Sequence, residues 1–215
     1  MPFPTVSGYL DQFNRANEGP PPSSSWAGPI TQGQGQLQTF SNVVIAAASG
    51  SNYWNTSFAA DQECGLTIGD FVSDSAALYL RINTPNSANL DAYAIGFYQG
   101  GAGTNVIRVF KIIDNTATQL GGDISQTIAN GDSIGAQVIG STIYVWYKVG
   151  AGSWTNLDTR TNSEITAGGF VGISFGATNV YGDDFFGGAV VSAGTIPVFT
   201  GGQVYVTRGY KTVGY

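Results

Sequence analysis

Asp11-Gln-Phe-Asn-Arg-Ala-Asn17 near one end and Tyr181-Gly-Asp-Asp-Phe-Phe-Gly-Gly188 near the other bracket a long middle of short apolar-alternating runs. Gly, Asn, Ser and Asp punctuate these runs, and no stretch carries the period of a helix. Such a chain closes as two packed antiparallel sheets whose first and last strands pair. Leu78, Leu80 and Ile82 face one way, Tyr79 and Arg81 the other. Ile134, Ala136 and Val138 point inward opposite Gln137, and Ile143 and Val145 alternate with Tyr144 and Trp146. Strands are predicted near 9–14, 36–40, 57–68, 76–83, 92–99, 105–114, 133–139, 142–149, 154–159, 170–175 and 184–191. Gly140-Ser141, between two alternating runs, is the strongest hairpin signal. With no 20–50-residue repeat, a propeller or solenoid is disfavoured.

The 215 residues suffice for one large β-domain with a substantial core. Charged residues make up 10%, against about 25% in an average soluble protein. Apolar content is an ordinary 42%, so Ser, Thr, Asn, Gln and Gly fill the deficit, as in an ordered, turn-rich β-protein. A net charge of −6 with eight scattered basic residues argues against nucleic acid as a partner. There is no histidine, which excludes a His general base, a Ser-His-Asp triad and a His-ligated zinc. The single Cys64 has no internal disulfide partner and reads as a buried small hydrophobe. No run approaches the roughly 18 apolar residues of a membrane span, so no membrane partner is expected.

The first eight residues, Met-Pro-Phe-Pro-Thr-Val-Ser-Gly, have neither a basic region nor an apolar core, and read as lacking a secretory leader. A surface-type composition without that leader fits a virus particle assembled in the host cytoplasm. Three segments are expected: an N-terminal arm at 1–8, a domain at 9–191 and a β-prone tail at 192–215. The tail carries Val204, Tyr205, Val206, Tyr210 and Tyr215, and either adds an edge strand to its own sheet or docks on another subunit. Glu18-Gly-Pro-Pro-Pro-Ser-Ser-Ser25 reads as a connecting loop.

The Asp11–Asn17 motif, Tyr53-Trp-Asn-Thr-Ser-Phe58, Tyr79-Leu-Arg-Ile-Asn83 and Gly172-Ile-Ser-Phe175 with the following Asp183-Asp-Phe-Phe-Gly-Gly188 resemble a concanavalin A-like lectin/glucanase, or laminin-G-like, jelly roll. The resemblance covers about residues 9–191. It implies an all-β, two-sheet antiparallel sandwich with six or seven strands per sheet and adjacent terminal strands. Modules of this kind occur in phage virion proteins, glycan-binding modules and glycoside hydrolases, so the fold alone does not decide function.

Hydrolysis needs paired carboxylates across a sugar face. The glucanase branch carries a Glu-x-Asp-x-x-Glu strand, and neither Glu63 nor Glu164 begins one. Asp61-Gln-Glu63 comes nearest and reads as a polar strand edge. Asp183 and Asp184 are candidate calcium ligands. Their plainer role is structural, with Asp11, Arg15 and Asp184 clamping the place where the terminal segments meet. Tyr144, Trp146, Trp154 and Tyr98 are the candidate glycan platforms or interface residues, with Tyr53-Trp54 beside them. The primary expectation is a non-enzymatic virion protein of a bacteriophage, a capsid decoration or head or tail appendage. Its arms would hold neighbouring copies or other virion proteins. The alternative is a carbohydrate-binding module for surface attachment, and a glycoside hydrolase ranks third. No cofactor is expected beyond the calcium candidate.

Overall fold

A computed structural model describes residues 2–71, 74–99, 105–178 and 180–191, so the tail residues Val204, Tyr205, Val206, Tyr210 and Tyr215 lie outside the described residues. All regular structure described is β. The strands are β1 (Trp26–Ala27), β2 (Leu37–Phe40), β3 (Val43–Ala46), β4 (Gly50–Trp54) and β5 (Gln62–Phe71). Next come β6 (Ser75–Asn83), β7 (Asp91–Gln99), β8 (Asn105–Ile113), β9 (Thr116–Gln119) and β10 (Ile124–Ser125). The last are β11 (Ser133–Ile139), β12 (Thr142–Lys148), β13 (Thr155–Thr161), β14 (Phe170–Phe175) and β15 (Val180–Ala189).

These strands form two antiparallel sheets. An eight-stranded sheet runs β1-β4-β14-β6-β7-β8-β10, with β9 also on β8. A seven-stranded sheet runs β13-β12-β11-β5-β15-β3-β2. The expected six or seven strands per sheet become eight and seven, because the short β1, β9 and β10 extend the first sheet. Between the sheets lie Leu66, Leu78, Ile95, Phe97, Ile134, Val145, Ile173, Phe175 and Phe185, each essentially inaccessible to water. Each such side chain contributes about 1.5–3 kcal/mol by leaving water. A second apolar cluster, with Ile30, Tyr79, Ile82 and Leu90, lies on the outer face of the eight-stranded sheet.

The Gly140-Ser141 hairpin forms as read. Ile139 faces Thr142 across a turn in which Gly140 adopts φ 56°, a conformation that Gly takes without a Cβ penalty. The strand predicted over 9–14 is instead a single bridge, Asp11 to Phe185, although it does join the two quoted motifs. Phe13 turns to φ 52°, which ends the extended run and drives its ring into the core. The segment predicted over 57–68 divides into a single bridge, Phe58 to Gly169, and the strand β5 from Gln62, so Asp61-Gln-Glu63 opens a central strand of its sheet, not an edge. The Leu78, Leu80, Ile82 alternation also breaks. Arg81 sits at φ 52° and β6 slips register there against both neighbours. The bulge inserts one residue, so Ile82 moves to the outer face with Tyr79 while Arg81 turns inward.

Candidate functional site

The outward face of the seven-stranded sheet is built around two missing side chains. Gly65 of β5 and Gly135 of β11 are register partners at the sheet centre. A Cβ on Gly65 would meet the Phe186 ring at 2.3 Å, and one on Gly135 would meet the Phe3 ring at 2.5 Å. The glycines therefore make a depression that seats two aromatic rings. Phe3 is buried and stacks parallel on Trp146, with centroids 4.9 Å apart and planes 1° apart. Trp154 meets the Phe3 ring edge-on at 4.9 Å.

The residues after Phe3 continue across the sheet. Thr5 donates from its amide and hydroxyl to Glu63 Oε1 at 2.5 and 2.8 Å, and the Val6 amide donates to the same oxygen at 2.7 Å. Glu63 Oε2 accepts from Gln137 Nε2 at 2.8 Å. The Val191 amide donates to Thr5 Oγ1 at 2.9 Å, joining the end of the described chain to its beginning. The arm expected to reach neighbouring subunits thus lies on its own sheet. Rings on this face and the Glu63 carboxylate together outweigh exposure of an apolar Phe3.

Beside this strap opens a cleft of about 200 Å³. Its floor is Thr67, Ser133, Lys148, Trp154, Asp184 and Phe186, and its wall is Pro4, Val6, Gly8 and the exposed Tyr9. Lys148 Nζ sits 5.4 Å from the Trp154 ring centroid, a cation–π contact. Thr67 and Ser133 are hydrogen-bonded through their hydroxyls at 3.2 Å. The cleft therefore offers an aromatic face, a cation, a carboxylate and paired hydroxyls within one concavity.

The candidate residues divide. Trp154 and Asp184 line the cleft, and Trp146 lies under the strap. Tyr144 stands beside Trp146, 6.4 Å between centroids, on the same half-buried stripe of β12. Tyr98 belongs to the other sheet, lying across Gly96 with the Arg108 guanidinium 5.0 Å from its ring. It borders a separate groove of about 240 Å³ with Tyr79, Phe110 and Ala117. Trp54 packs edge-on against Trp26 of the core, and Tyr53 against Phe170.

Arg15 does not reach Asp183 or Asp184. It grips Asp11 in a two-pronged pair at 2.5 and 2.9 Å, and also contacts Glu18 at 3.0 Å. Asp11 additionally accepts from the Trp26 indole and the Phe13 amide, each at 2.8 Å. Burial on its own would raise the Asp11 carboxyl, but Arg15, Trp26 and Phe13 hold it below its usual value. Asp184 occupies a bulge at φ 52° and accepts from Gln12 Nε2 at 3.1 Å. Asp183 accepts the Asp184 amide at 2.8 Å. Burial, opposed by that amide, and the nearby Asp184 and Asp11 charges push the Asp183 carboxyl up. A calcium ion favours several converging oxygens. Among the described residues no three His, Cys, Asp or Glu side chains cluster to supply them, so Asp183 and Asp184 do not fit a calcium cage by themselves.

Sequence reasoning missed Phe3, Glu63, Gln137, Lys148 and the cleft hydroxyls as site residues. The one local signal is the pair of glycines in otherwise bulky strands, which marks a close approach by other groups.

No protein-family model and no curated protein matches the sequence. Solved structures do match. The carbohydrate-binding module CBM66 from Bacillus subtilis superposes with a TM-score of 0.54 at 11% identity, over 77% of this chain and 96% of that one. The exoplasmic/lumenal domain of VIP36 in its Ca2+/Man2-bound form gives 0.62 at 13%, over 88% and 90%. A Bacillus licheniformis β-glucanase gives 0.55 at 10%, over 86% and 99%. The fold is that of the concanavalin A-like lectin/glucanase jelly rolls. These structures include a carbohydrate-binding module, a lumenal domain in a Ca2+/Man2-bound form and a glucanase.

Proposed function

We propose that the chain is a non-enzymatic carbohydrate-binding module whose site is the cleft between Tyr9 and the outward face of the seven-stranded sheet. The observation that carries this reading is the composition of the cleft: the Trp154 ring beside Lys148, Asp184, Thr67 and Ser133. A pyranose has an apolar C–H face and a rim of hydroxyls. Trp154 takes the face, while the carboxylate, the ammonium and the Thr67 and Ser133 hydroxyls take the rim. The glycan-binding structures of the same fold support the reading. A glycosidase places two carboxyl groups roughly 5–9.5 Å apart on either side of the scissile bond. In this cleft Asp184 is the carboxylate of the lining, and Glu63 has both oxygens engaged beneath the strap.

The test is calorimetric titration with mannose, mannobiose and glucose-based β-oligosaccharides, using the natural chain and Trp154→Ala. Binding weakened at least tenfold by the substitution is expected, and incubation with β-glucan should release no reducing ends. Absence of binding to every sugar in a broad glycan screen would overturn the reading. Display on a virion, with glycan attachment as its task, is a separate expectation. Peptide mass spectrometry of purified particles tests it.

A further inference from the structure

The strap has the chemistry of a ligand. Residues 2–8 pair with no strand, and backbone pairing to the sheets begins at Leu10. Pro2 and Pro4 have no N–H to offer a ladder. What holds the segment is a ring on a ring, Phe3 on Trp146, and a cluster of donors on one carboxylate oxygen, Thr5 and Val6 on Glu63. Stacking on an indole and hydroxyl or amide donation to a carboxylate are also how a protein holds a sugar. The strap does this incompletely. Beneath it the fully buried Gln137 leaves Oε1 unpartnered among the described residues, and the buried Nε1 of Trp146 is likewise unpartnered. Orphaned polar atoms under an ordered cover are costly, each about 1–3 kcal/mol in general. A pyranose in place of Phe3 and Thr5 has hydroxyls to donate to Gln137 Oε1 and to accept from Trp146 Nε1.

We infer that residues 3–6 act as a built-in competitor, occupying a second saccharide subsite formed by Glu63, Gln137 and Trp146 that longer glycans enter by displacing the strap. This rests on the carbohydrate reading above. The covered subsite adjoins the open cleft, since Trp154 and Phe186 contact Phe3 and line the cleft as well. One sugar unit or two are held in the cleft and leave the strap in place. A chain of three or more units runs on toward Trp146 and must lift it. Removal costs no strand pairing, so the sheet beneath stays intact. The strap thus sets a length threshold: apparent affinity for long ligands is reduced by the fraction of molecules whose strap is open.

The experiment compares the full chain with a variant lacking residues 2–6 and with the milder Phe3→Ala, titrating mono- to hexasaccharides of the mannose and glucose series. Strap removal is expected to raise affinity for tri- to hexasaccharides by about tenfold or more, the gain for a strap open a tenth of the time or less. In Phe3→Ala, which keeps the cleft-wall residues Pro4 and Val6, mono- and disaccharide binding should stay within twofold. Trp146→Ala added to Phe3→Ala should abolish the gain and leave mono- and disaccharide binding intact. Hydrogen exchange at the Thr5 and Val6 amides of the full chain should accelerate on adding a hexasaccharide and stay unchanged with a monosaccharide. Binding by the full chain with no gain in either variant, or amides equally protected with hexasaccharide, would overturn the inference and leave the carbohydrate reading standing. Failure of the full chain and both variants to bind any sugar would overturn both. Binding by the variants alone would support the covered subsite and overturn the open cleft as the primary site.

Discussion

The indole Nε1 of Trp26 donates to Asp11 Oδ2 at 2.8 Å, a hydrogen bond buried where the first motif meets the last strand. The same carboxylate receives Arg15 and the Phe13 amide, so one side chain organises a backbone turn, a buried indole and a surface guanidinium. Asp11→Ala is expected to cost about 2–4 kcal/mol, because the indole and the amide lose their acceptor inside the protein. Urea denaturation at neutral pH measures it.

That clamp also sets an acid limit. The folded-state Asp11 carboxyl is held below its usual value, so its contribution is fully present above the unfolded value of about 3.9. It is lost as pH falls through the lower folded value. Stability of the natural chain should therefore decline below about pH 4. Asp11→Asn, already weakened at neutral pH, should show a shallower decline in the same window by urea midpoints.

Arg81 is fully buried at one end of the sandwich, where its guanidinium donates to the Ala60, Ile165 and Gly140 carbonyls. Its own amide donates to the Gln62 side chain at 2.7 Å. Arg81→Met fills much of the volume and strands those carbonyls, with an expected loss of about 3–5 kcal/mol. Arg81→Lys should recover less than half of it, since an ammonium cannot reproduce the planar fork. Thermal and urea melts of the variants give the comparison.

Gly135→Ala places a methyl group against the Phe3 ring, at 2.5 Å if nothing moved. The strap must lift, at an expected cost of about 1–3 kcal/mol. Phe3→Ala added to that background should cost much less than it does alone, because both changes remove the same packing. Melts of the double-mutant cycle and the tryptophan fluorescence of each variant check this.

Cys64 is fully buried, and burial together with the neighbouring Glu63 charge pushes its thiol well above the ordinary range. Labelling by iodoacetamide at pH 8 is expected to proceed only through the unfolded state, rising with urea as the unfolded population does. Rapid labelling of the native chain would contradict the burial.

Local period made much of the sandwich legible. The β11–β12 hairpin showed in sequence because apolar residues alternate strictly on both sides of Gly140-Ser141. β3 and β4 did not. In β4 the buried Ser51 and Asn52 serve the Ile30 and Leu37 amides, so a buried strand reads as a polar loop. The Ile82 face was misread because the bulge at Arg81 comes from tertiary bonds to distant carbonyls. Of the site, Trp154 and Asp184 were readable as chemistry-bearing types. Their union with Phe3, Glu63 and Lys148 depends on contacts between opposite ends of the chain, which no local pattern encodes.

The Val191–Thr5 hydrogen bond, which joins end to beginning, has a topological consequence. The domain's point of entry and point of exit are neighbours, so it can be spliced into a loop of another protein without parting the loop's two sides. The connection can equally be rewired: a short linker from Val191 to Thr5, with new termini opened between Gly140 and Ser141, should yield a circular permutant with the same sheets. That permutant loses Phe3 and keeps only Thr5 and Val6 of the strap, so Trp146 is uncovered while the Glu63 contacts are tied down through the linker.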